Sequence, residues 1–389
     1  MNTERTSIRV GVNTLFMIPG EVGGTETYLR QTLSAIAEYH PDLQLALFTN
    51  RENDPILREE LGRYNQVQFC SLRVRAANRY ARIVAEQTLL PVAARRARVD
   101  LLWSPGYTAP LRAPCPQVVT IPDMQYKTHP EDLAPHYRVA TDILVKAAAR
   151  RAVHIIAISE FTKSEIVRYT SASPERIDVT HLAADPAFAE PLSKDRRRTI
   201  LAGLLPGGGP YVLCVAHTYP HKNVHALVEA FGQIYESVPH RLALVGSRRL
   251  GEPQLQAAIE KLPDPGRVVR LEKLNTEQLR AIYQGADVFV FPSLYEGFGL
   301  PVLEAMMAGV PVVTTRRASI SEVGDELVVY FDPDNPRDLS RKILDVVQWP
   351  AEKRGQWTSK ATVYARGFSW RETADRTVVA LNRTVKSAR

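Results

Sequence analysis

Asp287-Val-Phe-Val-Phe-Pro-Ser-Leu-Tyr-Glu-Gly-Phe-Gly-Leu-Pro-Val-Leu-Glu-Ala-Met-Met-Ala-Gly-Val-Pro-Val-Val-Thr-Thr315 carries, in order, an apolar run, a glycine-bearing turn, a short helical pattern and a second apolar run. Asp287 to Phe291 and Pro311 to Thr315 read as buried strands, because runs this short and this apolar have no polar face. Pro301 suits the first helical position, and Gly309 suits the residue past the helix end. Strand, helix, strand is the unit of a parallel α/β sheet. The turn also raises a chemical question, since Glu296 and Glu304 stand on either side of it. Glu296 is either a surface charge or a ligand contact. Glu304 is either a helix-start residue drawn to the positive end of the dipole or a second ligand contact.

Outward from this unit the alternation continues in both directions. Toward the N-terminus, strands are expected at the Ile8 run, Leu43 to Thr49, Val67 to Leu72, Asp100 to Ser104, Val118 to Asp123 and His154 to Ser159, with helical spacing such as Tyr28, Leu29, Leu33 and Ile36 between most of them. A second series runs from Tyr211 to Ala216 through Arg241 to Val245, Val268 to Leu271 and the opening unit to Leu327 to Phe331. Within it, Val224, Leu227, Val228, Phe231, Ile234 and Tyr235 form the apolar stripe of a helix over 223–238. Between the two series lie the charge run Lys194-Asp-Arg-Arg-Arg198 and Pro206-Gly-Gly-Gly-Pro210, which fits neither period. The expected organisation is therefore a domain at 1–192, a linker at 193–210, a second domain at 211–365 and a terminal amphipathic helix within 366–389, capped by Ser369. Two doubly wound parallel sheets, with the carboxyl ends of their strands facing one cleft, are the predicted α/β architecture.

At 389 residues the chain is long enough for two domains, and 45% apolar with 23% charged residues marks it as globular. No apolar run reaches the roughly 18 residues of a membrane span, and the opening Met-Asn-Thr-Glu-Arg-Thr lacks the apolar core of a signal peptide, so a cytoplasmic protein is expected. Cys70, Cys115 and Cys214 are far apart and odd in number, which fits reduced thiols better than disulfides or a zinc cage. The net charge of +7 is concentrated: seven arginines between Arg73 and Arg98 face the single acid Glu86. No recognition-helix pair, zinc finger or aromatic-basic signature accompanies them, which argues against nucleic acid. Anionic lipid at the inner face of a membrane, a diphosphate-bearing acceptor and a merely solvated basic face remain open for this segment.

Neither standard phosphate motif is present. Gly207-Gly-Gly-Pro lacks a following Gly-Lys-Ser/Thr, and Gly297-Phe-Gly299 lacks a third glycine at Val302. The amides of Phe298, Gly299 and Leu300 nevertheless stand near a helix N-terminus, where they have no intrahelical acceptor and can meet an anion. Gly23-Gly24 offers the same opportunity before the first helix. Lys222, in His217-Thr-Tyr-Pro-His-Lys-Asn223, stands at the start of the second domain's first helix. A lone lysine there is more often solvated, and its company with two glycine-bearing helix starts is what points to a diphosphate. Glu296 and Glu304, flanking such a site, suit vicinal hydroxyls of a hexose and a ribose. Together these groups describe a nucleotide sugar.

Glu296 to Glu304 is a Glu-x7-Glu pattern inside Pro292-Ser-Leu-Tyr-Glu-Gly-Phe-Gly-Leu-Pro-Val-Leu-Glu-Ala305, and it resembles the signature of the retaining, GT-B-fold glycosyltransferases called group 1 or family 4. Gly23-Gly-Thr-Glu-Thr-Tyr-Leu29 resembles that family's N-terminal glycine loop, Ser159-Glu-Phe-Thr-Lys163 its mid-chain motif, Tyr219-Pro-His-Lys-Asn223 its phosphate lysine and Phe368-Ser-Trp370 its C-terminal helix. The resemblance implies two Rossmann-like domains, an acceptor-side one first and a nucleotide-sugar-binding one second, with the last helix packing back on the first. It implies that Glu304 binds ribose, Glu296 the donor-sugar hydroxyls and Lys222 the diphosphate. Amides of Phe298, Gly299 and Leu300, with Gly23 and Gly24 from the other domain, would complete the grip. No cofactor or metal is then needed, since these positive groups stabilise the leaving diphosphate.

Two departures stand out. Pro122-Asp123 replaces the His-Asp of many members, a variant that also occurs among polysaccharide mannosyl- and rhamnosyltransferase-like members, and it leaves Asp123 as a candidate to position acceptor or sugar. Ala216-His217 replaces a frequent Gly-Arg, which makes His217 a candidate phosphate contact. The subgroup favours GDP-mannose as donor, with UDP-hexoses and dTDP-rhamnose as alternatives, and a glycan or lipid-linked saccharide as acceptor. His217, His221 and His225 recur at helical spacing, but Pro220 breaks the helix a metal site would need. A glycosidase would need two opposed carboxylates and no diphosphate cradle. A sugar-nucleotide epimerase or a non-catalytic nucleotide-sugar binder is the rival from a different class.

Overall fold

The computed structural model describes residues 8–387 of the chain, which divide into two compact units. The first comprises 8–124, 133–182 and 369–387, and the second comprises 125–132 and 183–368. In the first unit, strands β1 (Arg9–Asn13), β2 (Gln44–Thr49), β3 (Val67–Ser71), β4 (Leu101–Ser104), β5 (Gln117–Ile121), β6 (His154–Ala157) and β7 (Ile177–Val179) make a seven-stranded sheet in the order β3-β2-β1-β4-β5-β6-β7. In the second, β8 (Tyr211–Val215), β9 (Arg241–Val245), β10 (Val268–Leu271), β11 (Val288–Phe291), β12 (Val312–Thr315) and β13 (Val329–Phe331) make a six-stranded sheet in the order β10-β9-β8-β11-β12-β13.

Every strand pairing in both sheets is parallel. That follows from the sequence: β4, β5 and β11 are buried at every position, as central strands covered on both faces must be. The helix Val224–Ile234 buries its stripe of Val224, Leu227, Val228, Phe231 and Ile234 against Val212, Leu242, Leu244 and Val290 of the sheet. Each such side chain contributes roughly 1.5–3 kcal/mol by leaving water. Tyr235, expected in the same stripe, lies just past the helix in a 3₁₀ turn, Tyr235–Ser237.

Two stretches differ from expectation. The segment 193–210, expected as an irregular linker, contains the helix Lys194–Leu204, capped by Ser193 Oγ, which accepts from the Arg196 amide at 3.3 Å. Its lysine and arginines are good helix formers, and Arg196 is held by both oxygens of Glu277 at 2.8 and 2.6 Å. Irregular backbone is confined to the glycines that follow, Gly207, Gly208 and Gly209, all at positive φ. The other is β7, three residues with Asp178 at its centre, too short and too polar to give a period.

The terminal helix Trp370–Ser387 begins where Ser369 Oγ accepts from the Glu372 amide at 3.1 Å. It belongs to the first unit, where Thr373 Oγ1 donates to the His181 carbonyl at 2.6 Å and His40 meets Asp375 at 2.7 Å.

Candidate functional site

The second sheet changes direction between β8 and β11: from β8 the chain builds outward to β9 and β10, and from β11 outward to β12 and β13. Open parallel sheets bind ligands at such a switch, outside the carboxyl ends of the two strands. The loops leaving those ends carry Lys222 and Glu296 respectively, and their side chains meet, with Lys222 Nζ 2.6 Å from Glu296 Oε1. The pair is shielded, at 19% and 11% side-chain exposure, and the ammonium lies 5.7 Å from the centre of the Phe291 ring.

Neither loop is loose. Pro220–Lys222 forms a 3₁₀ turn that ends at Asn223, which is in the left-handed region at φ 53°. The loop after β11 is pinned by Thr315 Oγ1, which donates to the Ser293 carbonyl at 2.7 Å, and by Ser319 Oγ, which donates to the Glu296 carbonyl at 2.9 Å. It ends at Gly299, φ 107°, the cap of helix Leu300–Met307. Pro301 is therefore the second helical residue, one later than the sequence suggested. Gly299's carbonyl accepts from Val302 at 3.0 Å, while among the described residues no backbone acceptor takes the amides of Gly299 or Leu300. The Phe298 side chain is core: it is buried and packs edge-on against Phe368.

Glu304, one turn inside this helix, accepts from the Tyr283 hydroxyl at 2.9 Å. Burial pushes its carboxyl up to about 7, with the Tyr283 hydrogen bond pulling down and Asp185 pushing further up. Burial and the neighbouring Glu304 raise the Tyr283 hydroxyl well above its ordinary value, so it stays protonated and donates. Glu304 is thus a carboxyl poised near neutrality.

His217, His221 and His225 occupy three different elements, the loop after β8, the 3₁₀ turn and the helix Val224–Ile234. His217 Nδ1 accepts from the Ser247 amide at 3.0 Å, which fixes the ring proton on Nε2. His221 Nδ1 lies 2.7 Å from Asp132 Oδ2, and that oxygen also accepts from Gln125 Nε2 at 2.7 Å. Burial raises the Asp132 carboxyl, but the hydrogen bond and charge of His221, with Gln125, outweigh it and hold the group below the usual range.

In the first unit the switch lies between β1 and β4. Gly23, φ 57°, caps helix Gly24–Tyr39. Among the described residues, nothing beyond its own chain neighbours and helix backbone lies within 4 Å of where a Gly24 Cβ would stand, so tertiary packing does not require glycine there. Glu26 is in the first turn and accepts from the Gly20 amide at 2.7 Å, so a carboxylate already lies at this helix start. Asp123 follows β5 and accepts from the Tyr107 hydroxyl at 2.5 Å. In the Ser159 motif, Ser159 Oγ caps the helix Glu160–Thr170, and Thr162 Oγ1 donates to the Pro122 carbonyl at 3.1 Å, steadying the Pro122-Asp123 turn.

Tyr283, Asp132, Gln125 and Ser319 were not anticipated. Tyr283 reads as one more apolar-stripe residue, and Asp132 is 89 residues from His221, beyond any local pattern.

Parallel sheets with a lysine, a carboxylate and an open helix start at the switch are an arrangement with the chemistry to receive an anion at the strand ends. Comparison with known proteins narrows this. Residues 22–188 match the model described as Glycosyltransferase Family 4, and residues 195–363 match that of Glycosyl transferases group 1. The chain belongs to the group 1 glycosyltransferases, and its two Rossmann-like domains are those of the GT-B fold. O-antigen chain mannosyltransferase B of Escherichia coli is 31% identical over 58% of this chain and 59% of its own length. The Salmonella typhimurium protein named O-antigen chain mannosyltransferase RfbU is 25% identical over 60% of this chain and 62% of its own. The matches thus span about three fifths of each relative.

Among solved structures, sucrose-phosphate synthase from Thermosynechococcus elongatus covers 98% of this chain and all of its own at TM-score 0.79 and 18% identity. Anabaena Alr3699/HepE in complex with UDP-glucose covers 97% of this chain and 100% of its own at TM-score 0.76 and 20% identity. At such identities these two bear on the fold alone. Among the described residues no helix is long and apolar enough to cross a membrane.

Proposed function

We propose that this chain is a retaining glycosyltransferase that moves a hexose from a nucleoside diphosphate sugar to a glycan or lipid-linked saccharide, with GDP-mannose as the first donor to test. The observation that carries the proposal is the shielded Lys222–Glu296 pair, 2.6 Å apart beside a glycine-capped helix start at the sheet's switch point. The relatives named as O-antigen mannosyltransferases support mannose and a polysaccharide product.

In this scheme the diphosphate lies at the amides of Gly299 and Leu300 and draws Lys222 toward it, which releases Glu296 to accept from hexose hydroxyls. Glu304, oriented by Tyr283, takes the ribose. The acceptor hydroxyl attacks the anomeric carbon from the face the diphosphate leaves, and the departing phosphate oxygen takes its proton. Asp123 is assigned to position the acceptor or the sugar, and Gly23 and Gly24 to offer a helix start to phosphate. No covalent intermediate on the protein is invoked.

The test is a thermal-shift titration with GDP, UDP, ADP and dTDP, followed by transfer and hydrolysis assays with the matching sugars. Stabilisation by GDP and release of GDP from GDP-mannose are expected. UDP or dTDP in its place moves the donor to a UDP-hexose or dTDP-rhamnose. Epimer formed without nucleoside diphosphate release would replace transfer by epimerisation, and tight binding without turnover would leave a binder.

A peripheral contact with anionic membrane is part of the proposal. It rests on the helix Arg79–Arg96, whose outward residues Tyr80, Val84 and Val92 are apolar yet exposed, and whose last turn carries Arg95 and Arg96. Arg79 donates to Thr141 at 3.0 Å on the neighbouring helix Pro135–Arg151, which exposes Val139 and Ile143. Apolar residues ringed by arginine suit an interface rather than bulk water. Sedimentation with phosphatidylglycerol vesicles is expected at low salt and lost when Arg95, Arg96 and Arg98 become serine. No sedimentation at low salt would leave a solvated basic face.

A further inference from the structure

We propose that Asp132 and His221 are positioning residues that hold the Lys222 loop against the Glu296 loop, and that the segment Gln125–Asp132 is a strut of the donor site. The inference rests on the assignment of Lys222 and Glu296 to the donor.

The chain of contacts is continuous. Asp132 Oδ2 binds His221 Nδ1 at 2.7 Å, and the His221 carbonyl takes the Leu294 amide at 2.8 Å, two residues before Glu296. Lys222 is the next residue after His221 and completes the circuit through Glu296. Ring stacking reinforces it. The His221 ring stacks on Tyr219 at 5.7 Å and lies 5.6 Å from that of His129, which meets Tyr295 edge-on, also at 5.6 Å. His129 is itself steadied by Glu131 at 3.0 Å. The segment Gln125–Asp132 thus touches both loops, although its chain neighbours on each side belong to the first unit.

A purely stabilising role fits these contacts poorly. The His221 and Asp132 side chains are 2% and 4% exposed, and Asp132 Oδ1 is buried with no hydrogen-bond partner among the described residues. A half-satisfied buried carboxylate is a weak source of stability, since its desolvation offsets much of the attraction. It is a good source of geometry. An ionised carboxylate only accepts, so it dictates that the proton sits on His221 Nδ1 and fixes the ring's rotation. The 3₁₀ turn Pro220–Lys222 has too few backbone bonds of its own to hold that orientation. Because Asp132 lies only nine positions after Asp123, the same stretch of chain serves both the candidate acceptor residue and the donor loops.

Hydrogen exchange on the full chain tests this without any ligand. In Asp132→Ala, amides of 219–225 and 292–297 are expected to exchange at least tenfold faster, while those of β9 and β12 keep their wild-type rates. Asp132→Asn retains an oxygen that can accept from both His221 and Gln125, and it is expected to restore slow exchange. Unchanged rates in both loops of Asp132→Ala would overturn the proposal, and so would an equal rise throughout the second sheet, which marks general destabilisation. Calorimetry with GDP, UDP, ADP and dTDP on the same variants separates the two assignments. Fast loops with weaker binding support both, whereas fast loops with unchanged affinity keep the strut and count against Lys222 as a diphosphate ligand.

Discussion

Glu304 shows what a single residue's surroundings do to its chemistry. With its folded value raised to about 7 by burial, the protonated form is favoured at mildly acid pH. Its contribution to stability is therefore complete below the ordinary carboxylate value and is lost as pH rises through about 7. Ligand binding has the opposite sense, because an ionised carboxylate accepts from two ribose hydroxyls and a protonated one accepts less well. Affinity for the nucleoside diphosphate is expected to rise severalfold from pH 6 to pH 8 and level off above about 7. In Glu304→Gln that rise should vanish, leaving only the slope due to the ligand's own phosphate, and the variant's melting temperature should fall less than wild type over the same range. Calorimetry and thermal melts at stepped pH check both.

Lys222 makes the second case. Loss of one preorganised positive group aimed at developing charge typically lowers turnover by on the order of 10²-fold. Lys222→Ala also strands Glu296 at 11% exposure without its partner. Its expected phenotype is a fall in kcat for sugar transfer of that order, together with a lower melting temperature, because a shielded carboxylate left without its partner costs stability. Single-turnover product release reads it, and a wild-type rate would remove Lys222 from the chemistry. The turns that carry Lys222, Glu296 and Glu304 were legible in the sequence because each lies in a short stretch punctuated by glycine or proline. Tyr283 and Asp132 were not, because their hydrogen bonds are chosen by tertiary approach and leave no local trace.

At the scale of elements, the same punctuation sets boundaries to within a residue. Gly309 follows helix Leu300–Met307 at φ 73°, its amide bonded to the Met306 carbonyl at 3.2 Å, while the Val310 amide returns to the Ala305 carbonyl at 3.0 Å. This is the paired bonding of a left-handed helix end, which glycine adopts without strain. A Cβ at Gly309 would stand 3.9 Å from its nearest neighbour, Thr362 Oγ1, so the cost of Gly309→Ala is conformational and not steric. It should be about 1 kcal/mol, read as a lower urea midpoint with unchanged slope. Gly246→Ala is a harsher case, because its Cβ would come within 2.2 Å of the Ala216 carbonyl oxygen.

Elements with a strong period, such as β11 and helix Val224–Ile234, were readable in advance. The helix Lys194–Leu204 was not, because it buries no residue fully and so shows no apolar stripe. The strand β7 was missed for the complementary reason, since three residues are too few for an alternation.

At the scale of the molecule, each unit draws on chain segments distant in sequence, and strand alternation alone carries no information about which will join. The terminal helix Trp370–Ser387 shows the consequence. Trp370, Ala374, Val378, Leu381 and Val385 are buried, Thr373 reaches the His181 carbonyl at 2.6 Å, and Arg383 meets Asp178 of β7 at 2.7 Å. All these partners lie in the first unit. At roughly 1.5–3 kcal/mol for each large apolar side chain, removing this helix withdraws a share comparable with the 5–15 kcal/mol that separates folded from unfolded in an ordinary domain. A chain ending at Phe368 should therefore lose exchange protection in β1, β4, β5 and β6. The strands β8 and β11 keep their covering helices, Val224–Ile234 among them, and should hold their protection. Calorimetry of the truncated chain should show the two units melting apart, with the first displaced to lower temperature. Uniform loss of protection across both sheets, or none in either, would mean that the helix does not support the first unit in this way.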